Sequence, residues 1–349
     1  MVKPKAGFLQ IFTVRGKPWL VWLLPVTAIL SFIFSWAAAF PSDVVEHRFA
    51  RTIFPKLSYL AGRFADSVSF SWLDLALPVA LVFVIAVLRK KRWFLLLNLI
   101  AAGYLVFFWT WGLNYHRQPL KAKLQLNPSR TEPAAMTEFA MRVAGELNQL
   151  YGKSRSAPED YDRERAEANQ RVRKVIAVID GSDWQGATRI KTSWIGGPWL
   201  RAAGIDGVFN PIGHEPIVSE TLLDIERPFV MAHELAHVRG YPDEGDANVI
   251  ATFATLMSDD PAFQYSGWLN LWLYLRTPEL EKLLDPGPQR DVQRIFERAR
   301  AEQVRWINDF QRTLLDWFLK ANSVEEGVRS YSRVVLTAAG TEEMWARFR

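Results

Sequence analysis

The chain has no cysteine and only five histidines among its 349 residues. The first absence excludes disulfides, thiolate metal sites and a cysteine nucleophile. The second makes any close pairing of histidines informative. Acidic residues are missing from two basic stretches. Lys3, Lys5, Arg15 and Lys17 precede the first apolar run, and Arg89, Lys90, Lys91 and Arg92 join two later ones. Without these eight charges the remainder of a chain of net charge +5 is net negative. The basicity therefore reads as membrane topology, and no nucleic-acid partner is expected.

What is abundant is apolar and aromatic, and it is concentrated before residue 115. Trp19–Phe40 is 22 residues without a charge, a helix of about 33 Å, the thickness of a bilayer core. Leu73–Leu88 is a shorter run with Asp74 near its start, and Trp93–Trp111 is again uncharged. Tryptophans 19, 22, 36, 72, 93, 109 and 111 cluster near the run ends, as an interfacial belt does. Ala37-Ala38-Ala39 has the look of a cleavage site, but the length of the run and the two that follow favour an uncleaved anchor. Three spans are expected, at about 19–40, 73–88 and 93–111. Residues 1–114 form the membrane region and 115–349 the soluble domain. The basic clusters place the N-terminus inside and the soluble domain on the exoplasmic side.

The soluble part reads as mainly α. Helical spacing covers Thr137–Tyr151 and Tyr161–Ile179, with Thr137 and Asp160 as N-caps. Glycines and prolines between 186 and 220 predict a small irregular β region. Helices resume near Pro228, Glu244 and Pro261, and over one long stretch from Gln289 to Lys320.

The chemistry concentrates in His233-Glu234-Leu235-Ala236-His237. On a helix, positions i and i+4 share a face, so both imidazoles can meet one Zn²⁺. Glu234, offset by one residue, is placed to act as general base on a water molecule and not to ligate. Arg239 departs from the apolar residue usual after such a segment. A catalytic site needs a third protein ligand. Gly240-Tyr241-Pro242-Asp243 ends the helix and a new one starts at Glu244. This brings Asp243, Glu244 and Asp246 within reach. Asp243 suits an N-cap. Asp246 lies on the apolar face of Ile250, Phe253 and Met257. Glu244 shares a face with Asn248, Ala251 and Thr255, whose small side chains favour close packing on the histidine helix. Glu244 is the preferred ligand, ahead of Asp246 and Asp243. His214 reads as a surface or outer-sphere group, and His47 and His116 as interfacial. Tyr265 or Tyr331 is a candidate oxyanion donor, although a tyrosine in a helical domain is more often a packing residue.

At these residues the chain resembles the bacterial membrane-protein family called domain of unknown function 3810. The likeness rests on Trp111-Gly112-Leu113-Asn114-Tyr115-His116-Arg117, on Gly204–Pro211 with Glu215, on His233–Asn248, on Tyr265-Ser266-Gly267, and on residues 319–331. It implies three N-terminal spans and a mostly helical zincin-like domain in a bacterial cytoplasmic membrane. Glu244-x-x-x-Asn248 also resembles the E-x-x-x-D segment of gluzincins. That likeness implies zinc ligation by the Glu and orientation of a ligand His by the second residue. The expected function is a membrane-anchored zinc metallopeptidase acting on a peptide or protein substrate. The alternative is a membrane sensor or scaffold with a structural or peptide-binding zinc site and no turnover.

Overall fold

The computed structural model describes residues 18–37, 40–155, 160–321 and 333–348. The basic residues Lys3, Lys5, Arg15 and Lys17 lie outside them, as does Tyr331.

Three helices are long and apolar enough to cross a membrane: Trp19–Trp36, Trp72–Arg89 and Trp93–Thr110. Their α-helical parts are α1 (Leu23–Trp36), α4 (Trp72–Arg89) and α5 (Trp93–Thr110). Most of their side chains face outward, as lipid-facing helices require. The buried residues of α1 are Pro25, Ala28, Ser31 and Ser35, all small, and this face packs on α5. Small side chains let the two backbones approach. Trp109 donates its indole N–H to Ser31, and Ser35 is hydrogen-bonded to His116 at 2.9 Å. The first helix stops at Trp36, short of the expected Phe40. Hydropathy could not show this, because residues 37–40 are uncharged as well.

Between the first two spans the chain is helical too: α2 (Ser42–Val44), a π-helical stretch Val45–Ile53, and α3 (Phe54–Ala65). These residues do not stand apart in an inter-span loop. Val45, Phe49, Phe54 and Ala65 belong to the same buried cluster as Trp111, Met231 and Leu235, so the core runs continuously across residue 115.

The rest is mainly α, as expected, with one small sheet. The helices are α6 (Pro133–Leu150), α7 (Tyr161–Asp180), α8 (Gly197–Ala203), α9 (Arg227–Val238), α10 (Glu244–Leu256), α11 (Pro261–Leu275), α12 (Pro286–Glu302), α13 (Arg305–Ala321) and α14 (Arg333–Gly340). Asp160 caps α7, its carboxylate accepting from the backbone N–H of Asp162 and Arg163. Thr137 caps nothing. It lies inside α6, which begins at Pro133, and its hydroxyl donates to the Pro133 carbonyl. Proline at the first helical position supplied a start four residues earlier. The long C-terminal stretch is two helices, broken at Gln303–Val304, where the Val304 N–H donates to Ala202 instead of continuing the helix.

The sheet is a two-stranded antiparallel pair, β1 (Gly207–Asn210) and β2 (Glu215–Val218). It lies against α9. Two carboxylates, one buried and one half-buried, fasten this region to the second span. Glu215 accepts from the Ser71 hydroxyl and from the N–H groups of Trp72 and Leu73, and pairs with buried Lys191. Asp74 accepts from Ser193 and from the N–H groups of Trp194 and Ile195. The first bond set satisfies donors at a helix N-terminus that would otherwise be orphaned.

Candidate metal centre

The helix α9 carries His233, Glu234 and His237, and its neighbour α10 carries Glu244 at its first position. Between them, Gly240 adopts φ +78°, the left-handed geometry that ends a helix sharply. A side chain there would also strike the Phe54 ring. The Tyr241 N–H reaches back to the Ala236 carbonyl, closing the turn. Ala247 and Ala251 are fully buried on α10, which packs closely on α9.

His233, His237 and Glu244 come together. Nε2 of His233 lies 3.1 Å from Nε2 of His237 and 3.2 Å from Oε2 of Glu244, and His237 Nε2 is 3.5 Å from that oxygen. Both Nδ1 atoms are engaged elsewhere. His233 Nδ1 is 2.8 Å from the Asn248 amide oxygen, and His237 Nδ1 is 2.7 Å from the Tyr241 carbonyl. Each partner is an acceptor, so each Nδ1 carries a proton and each Nε2 faces the centre. Three possible ligand atoms thus converge on one point. Tetrahedral coordination at 2.0–2.1 Å from each donor would set them about 3.3 Å apart. The observed separations bracket that value, so this donor set fits a zinc ion.

The members of the trio act strongly on one another's protonation. Burial opposes charge on His237, but the Glu244 carboxylate beside it outweighs burial and lifts the imidazole to about 9. Burial pushes Glu244 up, and the two histidines more than offset this and hold it well below the usual carboxylate range. The trio is built to hold positive charge. Glu234 differs. It is buried beside the histidines, burial raises it to about 7, and its Oε2 has no hydrogen-bond partner. Its other oxygen runs beside Gly207 of β1, where a Cβ would sit only 2.5 Å away.

The alternative acids do other work. Asp243 caps α10 through the Asp246 N–H and pairs with Arg333 at 2.6 Å. Asp246 is buried away from the trio and accepts from the Leu120 N–H at 3.0 Å. His214 is buried, hydrogen-bonded to Ser58 and packed between Phe54 and Phe209. It is not at the surface, and burial lowers it to about 4. His116 is buried as well, whereas His47 is exposed beside Asp43. Tyr265 is a packing residue whose hydroxyl donates to Asp291. Arg239 lies over the Trp184 ring and donates to its carbonyl, which explains a cation where an apolar residue is usual.

Sequence reasoning missed the groups that hold this centre from below. Trp111 donates its indole N–H to the His237 carbonyl at 3.1 Å, and Arg117 donates to the Gly240 carbonyl at 2.9 Å. The same Arg117 joins a buried network with Glu46, Lys123, Asp180 and Tyr241. Trp111 and Arg117 were visible as a recurring segment, but no local pattern gave them a role. The histidine helix therefore rests directly on the end of the third span.

No curated protein and no solved structure matches the chain. A family model, described as "Protein of unknown function (DUF3810)", matches residues 49–337. That match runs from the π-helical stretch after the first span to the last helix but for its final turn, and the chain belongs to this family.

Proposed function

We propose that the chain is a membrane-anchored zinc metallopeptidase of zincin type, with His233, His237 and Glu244 holding the metal and Glu234 as general base. The observation that carries this reading is the convergence of three donors at 3.1, 3.2 and 3.5 Å beside a buried carboxylate with an unpartnered oxygen. Zinc, when bound, supplies Lewis acidity, polarising a scissile carbonyl and lowering the pKa of water. The chain's own residues supply the remainder. Asn248 and the Tyr241 carbonyl fix both imidazole tautomers. Glu234, raised by burial toward neutral pH, can take a proton from water at Oε2 and return it to the departing amine.

Among the described residues, the trio is the one group of His, Asp or Glu placed to hold a metal, and no fourth protein ligand joins it. Three ligands leave a position for substrate, which supports turnover over a closed structural site. The Arg89–Arg92 cluster, at the far end of α4 and α5 from the domain, supports a cytoplasmic loop and an exoplasmic domain in a bacterial cytoplasmic membrane.

The test is hydrolysis of a peptide library by purified protein, with zinc content measured in parallel. Glu234→Gln should retain zinc and lose about 10²–10⁴-fold in rate. Equal activity in that variant would remove the mechanism. Zinc in both proteins with hydrolysis in neither would establish the sensor reading.

A further inference from the structure

Helix α13 (Arg305–Ala321) has three unlike faces. At about 100° per residue, Trp306, Phe310, Leu314 and Trp317 fall within an arc of about 80°. All four are exposed, at 67, 56, 52 and 65 %. Arg305, Asp309, Arg312, Asp316 and Lys320 fill the neighbouring arc. The third face is the packed one, with Leu319 fully buried and Asn308 donating to the Ala203 carbonyl of α8. Four large apolar residues in one line on an exposed helix need a partner.

The position of α13 identifies that partner. Its start is tied through α8 and residues 193–196 to the beginning of the second span. Asp74 of that span binds the Trp194 and Ile195 N–H groups, and a Cβ on Gly196 would meet Leu73 at 3.2 Å. Trp194 and Ile195 are themselves exposed, at 76 and 52 %. At the other end of α13, Phe318 packs on Phe107, one turn inside the end of the third span, with ring centroids 6.1 Å apart. The helix thus lies across the domain-side ends of two spans, at the level where hydrocarbon gives way to headgroups. An apolar arc flanked by a charged one, with tryptophan at both ends, is the composition of a helix lying in that zone.

We propose that α13, together with the Trp194–Ile195 loop, is a second membrane-contact surface, docked into the phospholipid leaflet on the domain's side. The apolar arc continues the lipid-facing surface of the spans, and the charged arc points to headgroups and water. This proposal does not depend on catalysis and holds for an active or an inactive metal site.

The cysteine-free sequence allows single nitroxide labels without background removal. Phe310→Cys, Leu314→Cys and Arg312→Cys would be labelled in the full chain in phospholipid nanodiscs, with Val82→Cys of α4 as a lipid-facing reference. Collision with oxygen, which concentrates in hydrocarbon, is compared with collision with a water-soluble nickel complex. The logarithm of the oxygen-to-nickel accessibility ratio should be positive at 310 and 314, as at 82, and negative at 312. Nickel access at 310 and 314 equal to that at 312 would overturn the proposal by placing the arc in water. Protection from both reagents would overturn it as well, by showing that a second copy or another protein covers the arc.

Discussion

Two buried charge clusters lie on either side of Tyr241, and they are built differently. Below the turn, Glu46 and Asp180 face Arg117 and Lys123. Arg117 spends its guanidinium on Glu46, Asp180 and the Gly240 carbonyl, and stacks on the Tyr241 ring at 4.0 Å. Lys123 bridges the two acids, and the Tyr241 hydroxyl donates to Asp180. Every charge there has an opposite partner. Above the turn, Nε2 of His233, Nε2 of His237 and Oε2 of Glu244 face one another, and one oxygen of Glu234 has no partner. The Tyr241 backbone joins the two, since its carbonyl orients His237. A compensated cluster needs nothing further and serves to hold the spans, α7 and the turn together. On the proposed function, the second cluster is completed by a bound cation. On the proposed function, the contrast separates structural burial of charge from burial that would serve chemistry.

The largest effect that would sharpen this contrast comes from unbalancing the lower cluster. Glu46→Ala leaves Arg117 and Lys123 buried with one acid between them, and should destabilise the protein by about 3–5 kcal/mol. Thermal unfolding in detergent measures it. A loss within experimental error would mean that the network is dispensable and the contrast false.

Acid should reach the same cluster next. Burial opposes the Glu46 charge, but Arg117 and Lys123 outweigh it and hold the carboxyl at about 2, against 4.5 ordinarily. The unfolded chain binds this proton first, so the stabilisation is complete above pH 4.5 and is lost as pH falls through about 2. At about 1.36 kcal/mol per unit, the contribution is roughly 3 kcal/mol. Denaturant unfolding followed from pH 6 downward should show that limb in the wild type and a weaker one in Glu46→Gln.

The upper cluster should respond to metal where the lower one does not. Zinc binding to the folded state alone stabilises by about 2.7 kcal/mol at a hundredfold excess over Kd. Melting temperature should rise with zinc, fall with chelator, and be indifferent to both in His237→Ala. A rise of the same size in that variant would place the metal elsewhere.

The smallest expected effect is at Gly207→Ala. Its Cβ would meet the end of the Glu234 side chain, a flexible group that can move aside. Stability should change by less than about 1 kcal/mol, whereas peptide hydrolysis should fall because Glu234 is displaced. An unaltered rate would show that β1 does not constrain the base.

Legibility in the sequence followed the range of each interaction. The spans are written in uninterrupted apolar length, and the histidine pair in an i, i+4 spacing that any helix converts into a shared face. Glu244 was reachable from the small residues on its face and from its spacing to Asn248. Asp160 was readable as a cap because capping is local. The break between α12 and α13 was not, since the apolar pattern runs on through Gln303 and Val304 while a bond to Ala202 redirects the backbone. Tyr265 reads as a packing residue, but nothing near it in sequence announces its partner Asp291, 26 residues on.

The sequence alone therefore determined that the chain is mainly helical, that three segments are apolar enough to span a bilayer, and that two histidines share one helical face. Only the tertiary structure decided which acid meets them. It also decided that Glu46 and Asp180, 71 and 63 residues from Arg117, close on one guanidinium. The placing of Glu234, with Oε1 against Gly207 and Oε2 without a partner, is likewise a tertiary result. The physical reason is that helix periodicity and hydropathy act over a few residues. The pairing of buried charges depends on which distant segments the folded core brings within about 3 Å of one another.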